Sequence, residues 1–184
     1  MMKKICAFVM AVVAIFSLVA CSAPQSADIG KEMEQFGFVF TIPQGVTGNQ
    51  LDDGIYDIDF GVTGKREAFI GINPPEDITE IGEGEEELLQ LLLQDMQQVT
   101  TNYFENISNE VVETRSLDGN PAGYIGMDCT ISNVPVYWQM YMVILDNTLY
   151  SFTIQIYTNK VQPNTLETID TFVEEIQLKA TAAA

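Results

Sequence analysis

Histidine is absent from this chain, basic residues are few, and there is a single tryptophan: 8 Lys and Arg stand against 26 Asp and Glu in 184 residues. Without an imidazole, Ser-His-Asp and Cys-His catalysis, HExxH zinc sites and histidine pH switches are excluded, since each needs an imidazole ligand or a group titrating near neutrality. A formal net charge of −18 sets nucleic acid aside as a partner, because phosphate binding depends on clustered Lys and Arg that displace counterions. Apolar runs are short as well. Ile5 to Ala20, interrupted only by Ser17, falls below the roughly 20 apolar residues of a comfortable membrane-spanning helix.

That run follows a positively charged start, Met1-Met2-Lys3-Lys4, and ends in Leu18-Val19-Ala20-Cys21. The combination resembles the signal and lipobox of bacterial lipoproteins, in which a small residue enters the peptidase pocket beside a sulfur nucleophile. The resemblance implies that the Cys21 thiol receives a diacylglyceryl group, that the chain is cut before it, and that acyl chains such as palmitate then hold it at the membrane. Two or more acyl chains on one residue make such anchoring stable. An ordinary secretory signal, or an uncleaved anchor that happens to carry a cysteine, is the alternative.

Four segments follow from this reading: a signal peptide at 1–20, a small and polar tether at 21–34, a folded domain at 35–179, and an Ala-rich tail at 180–184. Loss of Lys3 and Lys4 leaves 26 acidic residues against 6 basic ones, a formal charge of −20. Such a body is repelled by anionic phospholipid, and electrostatic steering favours a cationic partner. With Cys6 removed and Cys21 acylated, Cys129 is the one ordinary thiol, and an intrachain disulfide is ruled out.

Within the domain, period-two alternation predicts strands. Phe36 to Ile42 places Phe36, Phe38, Phe40 and Ile42 on one face, before Pro43 and Gly45. Ile55 to Val62 sets Tyr56, Ile58 and Phe60 opposite Asp57 and Asp59, and Gly61 to Lys65 turns the chain into Glu67 to Ile72. A helix is predicted over Glu83 to Phe104 from the stripe Leu88, Leu92, Met96, Val99 and Tyr103, widened by Leu89 and Leu93, with Glu85, Glu86 and Glu87 in its first turn. Strands follow at 110–117, 122–131, 136–145 and 149–157, separated by turn residues such as Asp118-Gly119 and Asp146-Asn147. Asn164, with Glu167 three residues on, reads as the N-cap of a final helix whose stripe is Leu166, Ile169, Val173 and Ile176, with Phe172 beside it.

The strand Val136 to Val143 carries large residues on both faces: Val136, Trp138, Met140 and Met142 on one, Tyr137, Gln139, Tyr141 and Val143 on the other. A strand covered on each side implies an α+β class, an antiparallel β-sheet flanked by helices in an α/β/α sandwich. A two-sheet sandwich with a helical insertion is the alternative. The element order from about Phe36 to Leu178 resembles the PsbP-type (Mog/PsbP) fold. The resemblance is carried by Phe40-Thr41-Ile42-Pro43-Gln44-Gly45, by Asp118-Gly119-Asn120-Pro121-Ala122-Gly123-Tyr124 and by Leu149-Tyr150-Ser151-Phe152-Thr153-Ile154. Val46 stands where many relatives have Trp after the Pro-x-Gly turn. The family implies a non-catalytic adaptor surface and moves no chemistry onto these residues.

Asp57 and Asp59, with Asp52 and Asp53 nearby, offer hard oxygen ligands to calcium, but they lack EF-hand spacing and fit a solvated strand face equally. Paired carboxylates could perform glycosidase-type acid and base work without histidine, yet among 26 acids no pair is distinguished. Cys129 reads as a core residue rather than a redox thiol, and Trp138, Tyr137 and Tyr141 as sheet packing rather than a ligand groove, with Met140 and Met142 filling gaps. The expectation is therefore no catalytic residue, no metal and no cofactor, with Cys21 the one assigned site. The chain is expected to be a lipid-anchored module on the extracytoplasmic face of the cell membrane, binding a cationic envelope protein or a small ligand and not nucleic acid. A carboxylate-based hydrolase acting on envelope glycans is the alternative.

Overall fold

A computed structural model describes residues 30–43, 46–50, 55–61, 66–79 and 84–179. Cys21, Gln44, Gly45, Asp52 and Asp53 lie outside the described residues.

Seven strands and a short appendage build the main sheet. In spatial order they are β3 (Thr47–Gln50), β4 (Tyr56–Phe60), β5 (Ala68–Ile72), β10 (Thr148–Tyr157), β9 (Val134–Leu145), β8 (Asn120–Ile131) and β7 (Glu105–Leu117). The appendage, β6 (Glu76–Asp77), pairs with β10 after the interruption at Pro74 and Pro75. Every pairing in the sheet is antiparallel. A second, three-stranded sheet holds β2 (Phe38–Thr41) between β1 (Glu32–Gln35) and β11 (Gln177–Leu178). The helices are α1 (Glu85–Tyr103) and α2 (Pro163–Glu175).

The long hairpins are set by two-residue turns whose residues both have positive φ: Asp118 and Gly119, Ser132 and Asn133, Asp146 and Asn147. This is the turn geometry whose twist matches that of paired strands, and Asn, Asp and Gly tolerate it best. In β9 the alternation holds as predicted. Trp138, Met140 and Met142 join Ile125, Met127 and the α1 residues Leu88, Leu89, Leu92, Leu93 and Met96 in one core. Tyr141 and Val143 join Phe38, Phe40, Ile58, Phe60, Ile70, Phe152, Ile169 and Phe172 in the other. The central strands are thus covered on both faces, by α1 on one side and by α2 with the small sheet on the other. At Gly123 the α1 helix lies directly on the sheet, where an added Cβ would stand 3.0 Å from Leu93 and 3.2 Å from Leu89.

Four expectations are corrected. Residues 32–34, assigned to the tether, belong to β1, because Glu32 to Gln35 pair with Phe38 to Thr41 around a tight turn at Phe36 and Gly37. Phe36 accordingly sits in that turn at φ 52° and not in the strand. The N-cap of α2 is Gln162, with Pro163 in the first turn and no capping side chain of its own. Its cap comes from far away. The buried Glu67 carboxylate accepts the Gln162 backbone N–H at 2.9 Å and the Thr165 hydroxyl at 2.6 Å. Leu166 is consequently exposed, and Thr165, Ile169 and Phe172 form the buried face of the helix.

Candidate functional site

Asp57 and Asp59 alternate with Ile58 as predicted, but Asp57 does not lie on a solvated face. It is only 6 % exposed. The cause is Arg66, which follows on the chain and reaches both carboxylates, at 2.6 Å to Asp59 and 3.4 Å to Asp57. Burial works against the guanidinium charge, yet the Asp59 hydrogen bond and the charges of Asp59 and Asp57 outweigh it and raise the Arg66 pKa above its ordinary value. Arg66 also stands over the Phe69 ring at 5.0 Å. The positive charge that a calcium ion would bring is already supplied by this side chain, and the two carboxylates share one strand face instead of confronting each other across a cleft. Glu85, Glu86 and Glu87 are exposed in the first turn of α1, where the helix dipole favours them. The acid pair required by the hydrolase alternative is therefore not assembled from these residues.

The aromatic candidates are packing groups with one polar seam. Trp138 is fully buried against Phe104, ring centroids 5.2 Å apart. On the opposite face Tyr141 stacks on Phe152 and meets Tyr124 edge to face. Arg115 lies over the Tyr124 ring at 3.3 Å and donates to the Tyr141 hydroxyl at 3.2 Å, while the Tyr124 and Tyr137 hydroxyls are 2.9 Å apart. Burial raises the Tyr124 and Tyr141 pKa values, so both phenols stay protonated and serve as hydrogen-bonding groups. Tyr124 carried no separate signal in the sequence; it gains its place by pairing with Tyr141 across the β8–β9 ladder.

Cys129 is buried, and burial followed by the nearby Asp128 charge pushes its thiol up to about 12. Since the thiolate is the reactive form, the folded chain is expected to resist iodoacetamide at pH 8 and to label fully in denaturant. Rapid labelling of the native protein at Cys129 would contradict this environment.

A more open feature lies along α2. Asn164, Glu167, Thr168, Thr171 and Glu175 form one flank of the helix, and together with Phe40, Thr41, Pro43 and Phe172 they line a groove of about 380 Å³. Phe40 and Phe172 are almost fully buried beneath it, with ring centroids 5.4 Å apart. The Thr168 hydroxyl donates to the Asn164 carbonyl at 2.8 Å and the Thr171 hydroxyl to the Glu167 carbonyl at 2.9 Å. Both hydroxyl protons are thus engaged within the helix, which leaves oxygen lone pairs beside the carboxylates of Glu167 and Glu175. Sequence reading missed this groove because Phe40 and Phe172 are remote in the chain, and the registration of α2 on β2 was not predictable from either segment.

Among the described residues no helix is long and apolar enough to cross a membrane. No family profile matches the chain, and no curated protein matches it. Its likeness is to solved structures. The cyanobacterial PsbP protein CyanoP of Synechocystis sp. PCC 6803 superposes with a TM-score of 0.51 at 12 % identity, over 86 % of this chain and 98 % of its own. LpqN of Mycobacterium tuberculosis, described as involved in cell envelope biogenesis, gives 0.56 at 9 % identity, over 85 % and 90 %. PA94 of Pseudomonas aeruginosa, a protein of unknown function, gives 0.52 at 10 % identity, over 82 % and 98 %. These likenesses show the fold, an α+β antiparallel sheet flanked by helices of PsbP-like type.

Proposed function

We propose that this chain is a non-catalytic binding module, fastened to the extracytoplasmic face of the cell membrane by lipid on Cys21, that engages a cationic envelope partner. The observation that supports binding over turnover is the use made of the carboxylates. Asp57 and Asp59 are engaged by Arg66 and Glu67 by the α2 N-terminus, whereas Glu167 and Glu175 border an open groove. The lipobox-like Leu18-Val19-Ala20-Cys21 supports the anchor, and the strong acidity supports a cationic partner. The PsbP-like fold is compatible with an adaptor role.

Two measurements test the proposal. Mass spectrometry of the native polypeptide is expected to find a chain starting at Cys21 with its sulfur acylated; a bare sulfur, or a retained initiator methionine, removes the anchor. Crosslinking in intact cells is expected to capture a basic envelope protein, and recovery of no envelope partner removes the adaptor reading.

A further inference from the structure

We infer that the α2–β2 groove is the docking site for an extended basic segment of a partner protein, with two Lys or Arg side chains four residues apart. This inference rests on the binding reading above and gives it a place and a chemistry. The floor, Phe40 and Phe172, is closed by packing of the two rings on each other, so recognition falls to the polar walls. The walls offer acceptors: two carboxylates, and two threonine hydroxyls whose protons are engaged inside the helix. Among the described residues no basic side chain lines the groove, and the ion pairs of Arg66, Arg115 and Lys179 involve other acids.

The charge pattern of α2 points the same way. Its acids are Glu167, Asp170, Glu174 and Glu175, and it has no basic residue. Glu174 and Glu175 occupy the last turn, where the negative end of the helix dipole disfavours carboxylates. A helix selected for its own stability would carry Lys or Arg there. An incoming cation relieves this unfavourable arrangement, so charge complementarity selects the occupant.

Spacing selects its conformation. Glu167 and Glu175 are separated by eight helical steps, about 12 Å at 1.5 Å per residue. In an extended peptide, residues four apart are separated by about 13 Å. One strand-like segment therefore brings a cationic side chain to each glutamate while its intervening residues pass over Phe40 and Phe172.

The test is calorimetric titration of the full chain in neutral detergent, at about 0.15 M salt, where the screening length is about 8 Å, with the peptide Gly-Arg-Ser-Gly-Ser-Arg-Gly. A second peptide, Gly-Arg-Arg-Gly-Ser-Ser-Gly, keeps the charge and removes the spacing. Glu167→Gln with Glu175→Gln is expected to weaken the first peptide about tenfold, from the loss of two partly exposed ion pairs. The double variant Glu85→Gln with Glu86→Gln, an equal charge change on α1, is expected to leave binding within about twofold of the parent, because screening confines such pairs to short range. Equal weakening in both variants would show diffuse attraction to an acidic body and overturn the groove assignment. Equal affinity for the two peptides would overturn the spacing. No binding to the parent chain would overturn the basic-segment occupant, while the broader binding reading would still be decided by crosslinking in cells.

Discussion

Replacing Gly37 with alanine is expected to destabilise the fold by about 2–4 kcal/mol, the sum of a backbone and a packing cost. Gly37 has φ 84° in the turn between β1 and β2, a conformation in which a Cβ is strained. The same Cβ would overlap the edge of the Tyr150 ring, whose Cδ1 is 2.9 Å from the position it would take. Tyr150 cannot easily retreat, since it is buried and packs edge to face against Phe38 at 6.2 Å. The measurement is equilibrium unfolding in urea, with the midpoint lowered and the slope unchanged. A loss below about 1 kcal/mol, less than the typical cost of overpacking alone, would mean that the small sheet yields without disturbing the main core.

Glu67→Ala is expected to cost a similar amount, about 2–4 kcal/mol, because hydrogen bonds to a charged acceptor contribute more than neutral ones and the abandoned donors remain partly buried. The carboxylate joins the start of β5 to the start of α2, accepting from the Gln162 amide and the Thr165 hydroxyl. Glu67→Gln should fall between the two, since an amide oxygen still accepts but carries no full charge to set against the helix dipole. Amide hydrogen exchange gives the local readout: the Gln162 N–H should lose protection in Glu67→Ala while amides in β9 keep theirs at equal global stability. Unchanged exchange at Gln162 would refute the capping role.

What the sequence revealed, and what it concealed, follows the range of the interactions. The two faces of β9 were legible because alternation is a property of adjacent residues, and the α1 stripe was legible as far as Met96 because residues three and four apart share a helical face; in the last turn Thr100 is buried and Tyr103, expected in the stripe, is exposed. The turns at Asp118-Gly119 and Asp146-Asn147 were legible because the required backbone geometry favours particular side chains. The α2 cap was not, because its acceptor lies 95 residues from the amide it satisfies. Local reading found a plausible substitute in Asn164 and Glu167, and so misplaced the buried stripe by one position at Leu166. The Asp57 environment was misread for a similar reason: alternation indicates which face a residue takes but not whether a cation will arrive on that face, as Arg66 does from the far side of the β4–β5 turn. The groove required both kinds of information at once, since its floor joins Phe40 of β2 to Phe172 of α2.

The three-stranded sheet has a topological consequence. Its middle strand, β2, is bordered by the first strand of the described body on one side and the last on the other, and the closure is reinforced by Lys179, whose backbone N–H donates to the Gly37 carbonyl at 2.8 Å and whose amine reaches Glu34 at 2.7 Å. Both edges of β2 are thus closed, but the described body begins beside Ile42 and ends beside Gly37, at opposite ends of that strand. Splicing Gly30 to Lys179 would need a linker that runs the length of β2, on the order of 17 Å for the five steps from Gly37 to Ile42. Cargo fused behind Lys179 would therefore leave from the Gly37 end of β2 and not from the Ile42 end, where the described body begins at Gly30.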